Sequence, residues 1–196
     1  MTLLEVIIVI TISTILMLAI TSAIQFFYQV NGYQIAQSSE VTQVRQALRR
    51  WVRDVREMTF AADGTYPLAV ASEHEIGFYV DSNDNSDVEY VRYRITAGNV
   101  LVREEFSPSG FPPVYNLVGA PEQTRIISEY VHNLTQATST FRYYDGSGML
   151  IPNASARITD VRYIEINLIV NVDPGRSPGE FLLRSGVGPR NLRDYE

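Results

Sequence analysis

The chain has 196 residues, of which 45% are hydrophobic and 19% are charged, and its formal net charge is -6. Because no basic cluster dominates its second half, this acidic balance argues against nucleic acid as a partner. The sequence has no cysteine, which excludes thiol catalysis and disulfide bonds.

An apolar run opens the sequence and extends from Met1 to Ile24, broken only by Glu5 and a few hydroxyl side chains. As a helix, such a run can cross about 30 Å of hydrocarbon. A carboxylate at the bilayer centre costs about 2.5 to 3.5 kcal/mol, so Glu5 is expected to have a partner. Because no Lys or Arg precedes Arg45, the nearest positive charge is the α-amino group of Met1. We therefore predict that the amine of one subunit pairs with Glu5 of its neighbour when the helices pack side by side with a stagger.

Two other classes of segment share this apolar character. A secretory signal peptide begins with basic residues and has a shorter apolar core, whereas this run has an acidic residue where the basic ones belong. A plain membrane anchor explains the length of the run but not the charge of Glu5. A helix that both spans the membrane and polymerises explains the two features together.

The helical pattern continues beyond the apolar run and becomes amphipathic. No proline occurs before Pro67, so one helix is predicted from about residue 2 to about residue 58. Its apolar half (1–28) needs lipid or other helices around it, and its amphipathic half (29–58) needs a sheet to cover one stripe. Apolar side chains of this stripe recur at spacings of three and four, namely Val41, Val44, Leu48, Trp51, Val55 and Met58.

Residues 59–196 are predicted to form a β-rich head. Runs of β-branched and aromatic residues, divided by turn residues, indicate an antiparallel meander followed by further strands. A Pro- and Gly-rich stretch at 107–121 is predicted to be an irregular connection, and the tail from Gly186 onward is predicted to be irregular as well. The predicted strands cover residues 75–80, 88–95, 99–105, 125–130, 139–144, 161–172 and 180–184.

The segment Met1-Thr-Leu-Leu-Glu5, followed by a run of Ile, Val and Leu, resembles the mature N-terminus of type IV pilins and of the pseudopilins of type II secretion. The resemblance implies that a prepilin peptidase cuts before Met1, that the new amine is N-methylated, and that Glu5 binds this amine across a subunit contact. It also implies a single-pass protein of the inner membrane, which the pilus or secretion machinery assembles into an extracellular filament on the cell surface. Ser22 stands where many pilins have a helix-breaking proline.

The head has a looser resemblance to J-type minor pseudopilins. The resemblance rests on the helical spacer and on four short segments, Phe-Tyr-Val-Asp (78–81), Val-Arg-Tyr (91–93), Leu-Val-Arg (101–103) and Arg-Asn-Leu (190–192). It implies an alternative role, in which a minor pseudopilin or minor pilin acts at a filament tip in secretion or in the initiation of assembly. A third interpretation, a membrane-tethered binding module, would remain monomeric and would not need Glu5.

The sequence contains no constellation of catalytic residues. The two histidines, His74 and His132, are far apart and have no companion at a fixed spacing, and there is no nucleophile elbow, phosphate loop or zinc spacing. We therefore expect no enzymatic activity and no required cofactor. Two formal glycosylation triplets begin at Asn133 and Asn153, but such triplets also arise by chance.

One acidic segment places oxygen ligands at alternate positions, namely Asp81, Asn83, Asn85 and Asp87. This spacing resembles the start of a Ca²⁺-binding loop, but Ser86 stands where the loop needs glycine and Arg92 where it needs the closing acid. The other interpretation is a hairpin turn whose Asp and Asn side chains bond to their own backbone. We favour the turn and keep extracellular Ca²⁺ as the second interpretation.

Taken together, these patterns predict an α+β fold of the pilin type, a lollipop in which a long N-terminal helix packs on an antiparallel β-sheet head. The predicted function is structural, because the subunits would form homo-oligomers through the apolar halves of their helices. The predicted assembly residues are Met1 and Glu5.

Overall fold

The computed structural model describes residues 2–82, 87–152, 154–176 and 179–192. Its one α-helix, α1, spans Leu3–Arg56, close to the predicted bounds. The chain divides into two compact units, Met1–Ser39 and Glu40–Glu196, and this boundary falls inside the predicted amphipathic half of the helix. The eight strands of the described residues are β1 (Leu68–Ala71), β2 (Glu75–Val80), β3 (Glu89–Ile95), β4 (Leu101–Phe106), β5 (Gln123–Ser128), β6 (Phe141–Tyr144), β7 (Tyr163–Val170) and β8 (Phe181–Val187).

The first unit is helical from Leu3 onward, and the hydroxyls of the three threonines inside this helix are bonded to its backbone. Each hydroxyl donates to the carbonyl oxygen four residues earlier, so it leaves no unsatisfied donor on a surface that is otherwise apolar. The three bonds run from Thr11 to Ile7, from Thr14 to Ile10 and from Thr21 to Met17, each at 2.8 Å.

In the second unit, the last part of α1 buries the predicted apolar stripe against the sheets. Val44, Trp51 and Val55 are each at most 1% exposed, and the Trp51 ring centroid lies 6.4 Å from that of Phe141. One large buried cluster contains residues of the helix and of both sheets, and a smaller second cluster comprises Ala61, Tyr79, Tyr90 and Phe106. The α+β fold with a helix packed on antiparallel sheet is therefore confirmed.

Strands β1 to β5 form an antiparallel sheet in sequence order. Strands β2, β3 and β4 match the predicted meander to within two residues at each end. Strand β1 was not predicted, because its four residues are too few to show alternation. The connection between β4 and β5 is irregular as predicted, and its described residues form one isolated bridge, between Ser109 and Val114.

Strands β6, β7 and β8 form a second antiparallel sheet with β7 in the centre. The prediction that the chain is irregular from Gly186 is wrong, because β8 continues to Val187. A Cβ on Gly186 would lie 2.0 Å from Tyr163 Oη, so the glycine lets this aromatic ring lie directly against the neighbouring strand. Gly186 therefore lies inside a strand because a side chain approaches its backbone closely, and it does not form a turn.

The described part of the tail also packs on the head. A 3₁₀ turn at Arg190–Leu192 follows β8, and Leu192 is buried in the common core. Asn191 Nδ2 donates a hydrogen bond to the backbone oxygen of Met58 at 2.8 Å, just beyond the end of α1. The residues that follow α1 are thus tied to the last described residues of the chain.

Candidate functional site

The apolar part of α1 exposes its large side chains. Leu3, Ile10 and Met17 are 82%, 60% and 72% exposed, and none of the most apolar window of the helix is buried. Residues 3–24 extend about 33 Å at 1.5 Å per residue, which matches a hydrocarbon core of about 30 Å. By length and composition, α1 is apolar enough to cross a membrane.

Thr2 and Glu5 form a capping box at the start of α1. The Thr2 backbone N–H donates to Glu5 Oε2 at 2.8 Å, and the Glu5 backbone N–H donates to Thr2 Oγ1 at 3.4 Å. These reciprocal bonds satisfy donors that have no carbonyl partner in the first turn of a helix. The carboxylate also lies at the positive end of the helix dipole, where an acidic side chain stabilises the helix. Glu5 therefore has a partner within its own chain.

The predicted pairing of Glu5 with an amine involves a second subunit. Met1 lies outside the described residues, and this pairing stays a prediction. Reasoning from intramembrane charge alone misses the capping box, although the spacing Thr-x-x-Glu before an apolar run is its sequence signature. Between residues 2 and 39, Glu5 is the only Asp, Glu, Lys, Arg or His in the sequence, so any charge-dependent contact of this surface must use it.

The predicted Ca²⁺ ligands lie only partly within the described residues. Asp81 and Asp87 are described, whereas Asn83 and Asn85 are outside the described ranges. Beside this segment, the Ser82 backbone N–H donates to Glu89 Oε2 at 2.9 Å. Within residues 2–82, 87–152, 154–176 and 179–192, no three His, Cys, Asp or Glu side chains come together as a metal-binding group.

The histidines and the described sequon asparagine all make contacts inside the fold. His74 Nδ1 lies 3.1 Å from Thr140 Oγ1, and His132 Nε2 lies 3.0 Å from the backbone oxygen of Asn171. Asn133 is fully buried, and its Oδ1 accepts a hydrogen bond from the Ile169 backbone N–H at 2.9 Å. The side chain of Asn133 is therefore part of the head structure and is not displayed to solvent.

A buried charged cluster, which we call the Asp54 cluster, comprises Asp54, Tyr93, Arg103 and Glu105. Asp54 Oδ2 accepts hydrogen bonds from Tyr93 Oη at 3.1 Å and from Arg103 Nε at 3.4 Å, and Arg103 Nη1 donates to Glu105 Oε2 at 2.5 Å. Burial raises the pKa of Asp54 above its ordinary value, and the charge of Arg103 lowers it in part. The cluster ties the end of α1 to β3 and β4. Arg50, one helical turn before Asp54, also contacts the cluster, with its Nε 3.8 Å from Asp54 Oδ2.

Comparisons with protein-family models, with curated proteins and with solved structures found no match. The function is therefore inferred from the residues of this chain. Of these, the exposed apolar part of α1 and its single acidic residue carry the most specific chemical information.

Proposed function

We propose that the protein is a structural subunit of a type IV pilus-like extracellular filament. Before assembly, the apolar part of α1 anchors the subunit in the inner membrane. The filament forms when the apolar helices of many subunits pack together into its core. A prepilin peptidase and a pilus or secretion assembly machinery are the partners that this function requires. The observation that carries the proposal is an exposed apolar helix with one carboxylate in its first turn.

The exposed surface supports assembly because a helix that is apolar all round needs lipid or other helices as its surroundings. Residues such as Ile10 and Leu16 are 60% and 59% exposed. Burying each large apolar side chain from water is worth about 1.5 to 3 kcal/mol. Lipid already shields them, so the gain on moving from membrane to filament is smaller, and specific contacts must determine how the helices pack.

Glu5 is the residue that can supply this specificity. In the single chain its carboxylate is bonded to the Thr2 backbone N–H, so it does not enter the membrane unsatisfied. In the filament it exchanges this neutral donor for the charged amine of a neighbouring Met1. The bond from the Thr2 N–H is already charge-assisted by the carboxylate, and the amine adds an opposite charge. The Coulombic attraction between the two charges favours one stagger of adjacent helices.

The proposal is tested by locating the protein in surface fibres. Fibres sheared from cells that make the protein are labelled with antibodies against the head and viewed by electron microscopy. Labelling along the whole shaft is expected of a structural subunit. Labelling confined to one end would instead indicate a minor subunit at the tip, and retention of all the protein in the membrane fraction would indicate a tethered binding module.

A further inference from the structure

A small pocket lies between α1 and the edge of the five-stranded sheet. Its volume is about 240 Å³, and all its lining residues belong to the second unit. Drug-sized ligands occupy pockets of roughly 300 to 1,000 Å³, so this one suits a single side chain or a small molecule. The pocket is lined by Gln43, Gln46, Ala47, Arg50, Tyr93, Arg103, Arg125, Ile126 and Ile127.

Three guanidinium groups line this pocket, and none of its nine lining residues carries a carboxylate. Arg103 is 1% exposed, and its buried Nη2 has no hydrogen-bond partner among the described residues. The buried Nε of Arg50 likewise has no hydrogen-bond partner among them. A buried donor without a partner is costly, and it is more so on a charged group. Both nitrogens are enclosed by the fold, so the feature that a ligand would meet is the positive charge of the three lining arginines.

The charges around the pocket do not cancel. Asp54 and Glu105 occupy Nε and Nη1 of Arg103, but they leave Nη2 free of hydrogen bonds within the described part of the chain. Arg50 contacts the same Asp54, and Arg125 on β5 adds a cation that is exposed. Among the described residues, the lining arginines between them contact two carboxylates, Asp54 and Glu105, and Asp54 also pairs with Arg53. The site is thus cationic in a chain whose formal net charge is -6.

We propose that this pocket binds a carboxylate carried on a short alkyl chain. Guanidinium forks match the planar geometry of a carboxylate and are weakly hydrated, which suits a partly buried site. Ala47 and Ile127 provide apolar wall for the alkyl part. The acid is either the side chain of an acidic residue on a second copy of this protein or a free carboxylic acid. The site does not depend on the proposed filament, since all its residues lie in the second unit.

Binding is tested on the full chain in detergent micelles by isothermal titration calorimetry. The probe is sodium glutarate, with sodium chloride at equal ionic strength as the reference. Saturable binding of glutarate is expected, and Arg125→Gln should weaken it about tenfold or more, because a charge-assisted hydrogen bond is lost. The matched control is Arg157→Gln, which removes an exposed arginine that pairs with Asp160 outside the pocket and should leave glutarate affinity unchanged.

The proposal is overturned if glutarate gives no heat beyond that of sodium chloride, or if Arg125→Gln binds it as tightly as the wild-type chain. Circular dichroism checks that the variant is folded, which is expected because Arg125 is exposed on β5. The source of the carboxylate is distinguished by sedimentation of the same samples. If a second copy supplies it, both glutarate and Arg125→Gln reduce self-association. If a free acid is the ligand, both leave self-association unchanged while calorimetry still records binding.

Discussion

Glu104 and Asp54 show how burial and charge act on two carboxylates of the same unit. Hydrogen bonds from Arg94 and Arg92 lower the pKa of Glu104 below its ordinary value of 4.5, against a smaller opposing effect of burial. Arg94 binds it through two nitrogens, with Nη2 at 2.7 Å from Oε1 and Nε at 3.0 Å from Oε2. For Asp54 the balance is reversed, because burial outweighs the nearby arginines and raises the pKa.

Glu104 should stabilise the head in a pH-dependent manner. Because its pKa is lower in the folded chain, its contribution is fully present above pH 4.5 and is lost as the pH falls through the folded value. We expect Glu104→Gln to be less stable than wild type at pH 7 and the difference to shrink as the pH falls below 4.5. Urea unfolding followed by the fluorescence of Trp51, the single tryptophan, measures this.

Asp54 is present in both proteins of that comparison, so its own opposite pH dependence cancels in the difference between them. A difference between wild type and Glu104→Gln that stays constant down to pH 2 to 3 would show that the pairing with Arg92 and Arg94 contributes nothing to folding.

At the scale of elements, α1 carries two surfaces with different requirements. In the first unit its apolar side chains are exposed, whereas in the second unit Val44, Trp51 and Val55 are buried against the sheets. The same second-unit part carries Asp54, which is 2% exposed and contacts Arg103 on β4. Burying a charge there requires its partner, so the ion pair fixes which face of the helix meets the sheet.

Removing Asp54 should destabilise the head strongly. Asp54→Ala leaves the buried guanidinium of Arg103 with one carboxylate in place of two, and breaking a buried pair from one side costs about 3 to 5 kcal/mol. The control is Glu57→Ala, at an exposed position next to the end of α1, which should change the free energy of unfolding by less than about 0.5 kcal/mol. Equal, small effects of the two substitutions on urea unfolding would contradict the role of the Asp54 cluster.

Much of the fold is encoded in local periodicity. The stripe from Val41 to Val55 repeats at three and four residues and identifies the buried face of α1, and the strands of the meander show β-branched and aromatic runs between turn residues. Strand β1 has only four residues, too few to show a pattern. Gly186 has the appearance of a strand-ending residue in the sequence, although in the fold it makes room for the ring of Tyr163. Both features depend on tertiary neighbours, which local periodicity does not report.

The candidate site was predictable to a smaller extent. The position of Glu5 in an apolar run is visible in the sequence, and so is the Thr-x-x-Glu spacing of its capping box. The cationic pocket is not visible, because Arg50, Arg103 and Arg125 are far apart along the chain and come together only through packing of α1 on β4 and β5. No fixed spacing links them.

At the scale of the whole molecule, the two units supply different parts of the proposed function. The first unit offers an apolar helix whose one acidic residue is satisfied within its own chain. The second unit is a sheet-based head with its own buried core, which does not need the membrane for its burial. A subunit built in this way can be stored in a lipid bilayer and later packed through its helix, while its head stays in water.

The measurement that tests the central claim most directly is the fibre yield of three N-terminal variants. Glu5→Gln keeps an oxygen that can close the capping box but removes the charge, Glu5→Ala removes both, and Thr2→Ala removes the hydroxyl of the box but keeps the charge. If Glu5 pairs with the amine of a neighbouring subunit, both Glu5 variants should reduce sheared fibres about tenfold or more, while Thr2→Ala assembles. Wild-type yield from Glu5→Gln, with equal membrane levels of all proteins, would show that Glu5 only caps its own helix and would contradict the account.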